Sequence, residues 1–92
     1  MTDILLRRLT PSADAVESPV GDETVILHLK NSTYYGLDAV GTRIWALLKE
    51  GLTPEAICER LAVEYGVARE VIDADARHFL GELEAQNMIV DA

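Results

Sequence analysis

A chain of 92 residues with 49% hydrophobic content can form one small domain, over residues 1–92, with a single core. Sixteen acidic residues against eight basic ones give a net charge of −8. That charge opposes a phosphate-binding surface and makes nucleic acid a poor partner, so none is expected, while it suits a basic or neutral peptide. The lone cysteine, Cys58, cannot form an internal disulfide, which leaves a reduced, cytoplasmic setting as the expectation. No apolar run approaches the roughly 20 residues of a membrane span, and "MTDILLRRLTPS" lacks the apolar region and cleavage site of a signal peptide, so no membrane partner is expected.

The first half reads as strands. A weak extended segment around Ala13 to Ser18 is followed by turn residues at Val20-Gly21-Asp22-Glu23. Thr24 to Lys30 ("TVILHLK") then alternates, with Val25, Leu27 and Leu29 on one face and Ile26, His28 and Lys30 on the other. Asn31-Ser32 supplies a second turn into Thr33 to Gly36, giving a three-stranded antiparallel meander. With that turn closed at Asn31-Ser32, Leu29 lies opposite Tyr34 and His28 opposite Tyr35. Tyr34 is then expected to join the Val25/Leu27/Leu29 face and border the groove beside the strand edge, and Tyr35 to stiffen the outer face.

From Leu37 the apolar period becomes helical. Asp38 is a suitable N-cap for a helix carrying Val40, Ile44, Leu47 and Leu48 on one face, and Gly51 fits its stop. Thr53-Pro54-Glu55 opens a second helix with Ile57, Leu61 and Tyr65 as its inward stripe, ended by Gly66. A third runs from about Ala68 to Gln86 or Asn87 and buries Ile72, Ala76, Phe79, Leu80 and Leu83, although Ala68 is a poor cap for it. The apolar tail Met88-Ile89-Val90 is expected to pack back on the core. The fold class is α+β and winged-helix-like, a three-stranded meander followed by three helices.

Catalysis finds little support in this set of residues. His28, His78 and Cys58 are the only histidines and thiol, and no two of them lie at a metal-ligand spacing. No phosphate loop, dinucleotide fingerprint or serine nucleophile motif is present, so no catalytic residue, metal or cofactor is assigned, and the chain is not expected to be an enzyme. Cys58 falls beside the buried stripe of the second helix, which suits a packed thiol better than a nucleophile. The alternative reading is a winged-helix transcriptional regulator that binds DNA. Glu70, Asp73, Asp75, Glu82 and Glu84 on the would-be recognition helix count against it.

What remains is the edge of the third strand. An unpaired edge is a liability unless it is covered or used, and a partner peptide can add to it as a further strand. The third helix can wall such a site, because Val71, Asp75, His78 and Glu82 form a stripe directly beside its core stripe.

The ordered set "TVILHLKNSTYYGLDAVGTRIWALLKEGLTPEAICERLAVEYGV", continuing to "FLGELEAQNMIV", resembles the PqqD-like family, and "LTPSADAV" fits that family's first strand. The resemblance covers about Leu9 to Val90 and implies a recognition element for ribosomally made, post-translationally modified peptides. Such a non-catalytic adaptor binds the leader segment of a precursor by strand addition to the third strand, beside the third helix. Carried over, the peptide-binding positions are Thr33, Tyr34, Tyr35 and Gly36 on the strand and Val71, Asp75, His78, Phe79 and Glu82 on the helix. The "YYGLDAVGTRIW" variant looks like the stand-alone element of lasso-peptide biosynthesis, whose partner is a leader peptidase, a cysteine protease. PqqD itself would instead serve a radical SAM enzyme.

Overall fold

The structure, a computed structural model, describes residues 3–92. A 3-10 turn at Ile4–Leu6 leads into five strands and three helices: β1 (Leu9–Pro11), β2 (Ala15–Val20), β3 (Glu23–His28), β4 (Tyr34–Leu37), α1 (Ala39–Lys49), α2 (Pro54–Tyr65), α3 (Arg69–Ala85) and β5 (Ile89–Asp91). Strands β2-β3-β4 form the expected antiparallel meander, and the helices form a layer against one side of it. A separate ribbon pairs β1 with β5 antiparallel, Thr10 opposite Val90, and ties the two ends of the domain together. The apolar tail does pack back: Met88 and Ile89 are buried, while Val90 is on the exposed side of the ribbon. This ribbon was not legible as a pairing, because three-residue strands carry too little alternation to register as strands.

The two hairpins differ in their loops. Between β2 and β3, Gly21 at φ +63° opens a two-residue connection, a conformation that glycine adopts without a Cβ penalty. Between β3 and β4 the connection is longer. The His28 N–H donates to the Thr33 carbonyl (2.8 Å), the Ser32 N–H to the His28 carbonyl (3.0 Å), and the Asn31 N–H to His28 Nδ1 (3.2 Å). The register therefore places Tyr34 opposite Leu27 and Tyr35 opposite Ile26, two residues from the expected pairing with Leu29 and His28.

A two-residue shift preserves side-chain parity, so Tyr34 does share the face of Val25, Leu27 and Leu29. The expected direction of that face is reversed, however. Ile26 is completely buried and His28 is 5% exposed, whereas Leu27, Leu29 and Tyr34 lie on the outer surface. Tyr35, not Tyr34, is the ring that turns towards the helices. His28 can face inward because the Asn31 N–H occupies its Nδ1.

The helices follow their caps. Asp38 accepts from the Gly41 N–H (2.7 Å) and Thr53 from the Ala56 N–H (3.2 Å), with Pro54 at the first helical position of α2. Gly66 closes α2 at φ +62°. Ala68 caps α3 with backbone geometry but no side-chain bond. Ile44, Trp45, Leu47 and Leu48 of α1, Ile57 and Leu61 of α2, and Ile72, Ala76, Leu80 and Leu83 of α3 form the core with Leu5, Leu9 and Leu37. Tyr65, expected inward, is exposed instead, since it stands at the last residue of α2 where the chain leaves the core. Cys58 is fully buried. That burial and a hydrogen bond with Asp73 push its thiol up to about 11, away from thiolate chemistry.

Candidate functional site

The meander leaves β4 at an open edge, and its register fixes which backbone groups face outward. Hydrogen-bonded and non-hydrogen-bonded pairs alternate along an antiparallel ladder. The His28 N–H donates across the ladder to the Thr33 carbonyl, so Ile26–Tyr35 and Thr24–Leu37 are the next bonded pairs. Tyr34 and Gly36, opposite Leu27 and Val25, therefore turn their N–H and C=O groups away from β3. Those groups have the spacing that one further antiparallel strand would match.

Beside that edge lies a groove of about 290 Å³ lined by Tyr35, Asp38, Val40, Gly41, Ile44, Asp75, His78 and Phe79. Its position follows from chain connectivity. Because β4 runs directly into the Asp38 cap, the first turn of α1 must sit against the strand, and α3 closes the opposite wall. Phe79 packs edge-on against Tyr35, with ring centroids 6.0 Å apart and planes at 65°. The ring also sits over Gly41, where an added Cβ would meet Phe79 Cε1 at 3.1 Å and Asp38 Oδ1 at 3.2 Å. Gly41 thus allows Phe79 its place in the groove. A smaller cleft of about 130 Å³ between Tyr35, Gly36, Asp38 and Phe79 continues it to the strand edge.

Glu82 joins strand to helix. One carboxylate oxygen accepts from the Tyr35 hydroxyl, and the other lies 3.1 Å from His78 Nε2 one turn earlier on α3. The hydrogen bond to Glu82, burial and the nearby Glu82 and Asp38 charges raise the Tyr35 phenol to about 12, so it stays a donor. Asp75 and Asp38 add carboxylates on facing sides of the groove, and Val40, Ile44 and Phe79 give it an apolar lining. The site can hold an extended chain by its backbone and take a side chain between α1 and α3. Among the described residues, no group of three or more metal-ligating side chains is assembled.

Of the residues singled out from sequence, Tyr35, Gly36, Asp75, His78 and Phe79 surround the groove or its cleft, and Glu82 reaches it through Tyr35 and His78. Thr33 stands just before β4 with its hydroxyl buried and unpaired among the described residues. Tyr34 projects from the opposite face, 74% exposed. Val71 lies one turn before Asp75, outside the groove lining. Sequence reasoning missed Asp38, Val40, Gly41 and Ile44. The signal for them was available: a cap residue that ends a strand brings the first helical turn to that strand's edge.

Residues 23–89 match the family described as coenzyme PQQ synthesis protein D (PqqD). The chain belongs to the PqqD family. Two solved structures resemble this PqqD-family chain over most of its length. One is TbiB1 in complex with the TbiA(beta) leader peptide, 44% identical with a TM-score of 0.80, covering 87% of this chain and 93% of that one. The other is a lasso peptide synthetase B1 complexed with the leader peptide, 19% identical with a TM-score of 0.81, covering 90% and 98%. At that identity the second is a likeness of fold. No curated protein sequence matches the chain. Among the described residues no helix is long and apolar enough to cross a membrane.

Proposed function

We propose that this chain is a non-catalytic adaptor that binds the leader segment of a ribosomally made precursor peptide and presents it to a modifying enzyme. The leader adds as a strand to β4, bonding to the outward groups of Tyr34 and Gly36, and places one side chain in the groove against Phe79. The enzyme served is a leader peptidase of lasso-peptide biosynthesis, in the cytoplasm. The observation that carries the reading is the open β4 edge running along a groove walled by α3. Membership of the PqqD family and the 44%-identical TbiB1, solved with a leader peptide, support it.

The test is a titration of the labelled leader of a cognate lasso-peptide precursor. Saturable binding is expected, weakened by Tyr35→Ala, which removes the strand-to-helix contact, and by Asp75→Lys, which reverses a groove charge. If the leader does not bind, and the peptidase cleaves the precursor at full rate without this chain, the proposal is wrong.

A further inference from the structure

The face of the meander that points away from the helices is apolar where a solvated sheet face ordinarily reads polar. Val16, Leu27 and Tyr34 stand directly opposite one another on β2, β3 and β4, a row crossing the whole sheet. Val16 and Leu27 are each 39% exposed, and Val20 and Leu29 extend the patch towards the two hairpin ends, both more exposed still. The strands' charged side chain at mid-sheet, Glu17, points the other way and pairs with Lys49 of α1. Charge is confined to the ends. Asp22 lies in the β2–β3 turn and Glu23 follows it, while at the other end Asp14 lies 3.5 Å from Lys30.

We infer that this outer face is the docking surface for the enzyme that acts on the presented peptide, through an apolar patch ringed by basic residues. This rests on the adaptor reading. Two observations choose the occupant. The rim carries three acids against one lysine on a chain of net charge −8, so two copies placed face to face would bring like charges together, whereas a partner with a basic rim would be attracted. The patch is also continuous with the peptide edge, because Tyr34 belongs to both. A strand added to β4 alternates its side chains, one set into the groove and the other onto the outer face. Those outward side chains lengthen the Val16–Leu27–Tyr34 row, so a partner docked there contacts adaptor and peptide together and binds the loaded adaptor more tightly than the empty one.

The test uses the full chain, its cognate leader and the leader peptidase of the same pathway. The variant is Val16→Thr/Leu27→Thr, which places a β-branched, strand-compatible residue at both positions while removing apolar surface from two strands outside the peptide site. Leader affinity is expected to stay within twofold of wild type and the thermal midpoint to be unchanged. Affinity for the peptidase, measured with leader bound, is expected to fall at least tenfold, and leader should raise wild-type affinity for the peptidase. Unchanged peptidase affinity in the variant overturns the inference and leaves the adaptor reading standing. A wild-type dimer that the variant converts to monomer overturns it in favour of a second copy. Absence of leader binding to wild type removes the adaptor reading, and this inference with it.

Discussion

Strand addition to β4 makes a prediction about one backbone atom. Gly36 sits in a non-hydrogen-bonded pair with Val25, so its N–H points to the open edge and contributes nothing to the β3–β4 ladder. Gly36→Pro deletes that donor and no other. Proline is tolerated on an edge strand whose N–H faces outward, and it restricts the preceding residue to extended backbone, which Tyr35 already has. No atom lies within 4 Å of a Cβ built at Gly36, so Gly36→Ala is a steric control. A neutral backbone hydrogen bond is worth about 0.5–1.5 kcal/mol net, which is a loss of about 2- to 13-fold in leader affinity. Fluorescence anisotropy with labelled leader measures it, with Gly36→Ala near wild type and the thermal midpoints of both variants confirming the fold. If Gly36→Pro binds as tightly as Gly36→Ala, the leader does not pair with β4 and the strand-addition mechanism fails.

Three further outcomes follow from the same geometry. Tyr35→Phe keeps the edge-on contact with Phe79 but loses the bond to Glu82, which should cost about 1–2 kcal/mol, a drop in thermal midpoint of about 5–15 °C. The pH dependence has a definite sign: because folding raises the phenol from 10.0 to about 12, the gap between wild type and Tyr35→Phe is complete below pH 10 and closes as pH rises through about 12. A gap unchanged to pH 12 would separate Tyr35 from Glu82. Gly41→Ala should push Phe79 outward and weaken leader binding several-fold, while the gain in helix propensity, up to about 1 kcal/mol, offsets the cost in stability; unchanged affinity would show that the groove beneath Phe79 is unused. Cys58 should resist iodoacetamide at pH 8 in the folded chain and react fully once unfolded, and alkylation of the native protein at a free-thiol rate would contradict its buried, unreactive state.

The helical half was legible because its signals are local. Asp38, Thr53-Pro54 and Gly66 each mark an end by a hydrogen bond or a positive φ that the residue itself supplies, and each stands where it was expected. The existence of the meander and of an edge at β4 was legible for the same reason. The register of β4 was not, because it depends on a loop in which Ser32 takes a positive φ and His28 binds Asn31, and neither leaves a mark in residue type alone. The α1 wall of the groove was also missed. A helix stripe shows which side chains are buried, but not which neighbouring strand its first turn will meet.

The reversed face of β3 has a different cause. Val25, Leu27 and Leu29 make a more hydrophobic set than Ile26, His28 and Lys30, and burial follows hydrophobicity when water is the only alternative. Yet the core takes Ile26 and His28, and Leu27 and Leu29 remain outside. The helices leave no choice, since Tyr35 must reach Phe79 and Glu82 on α3 and its parity carries Ile26 inward with it. The exposed part of such a patch adds nothing to the stability of the isolated domain, and it raises the risk of association at a sheet that already has an open edge. Sequence rules that fail in this way tend to fail at functional surfaces. The residues that misdirect the reading of β3 are those that a docked enzyme would cover, and Val16→Thr/Leu27→Thr tests both statements at once.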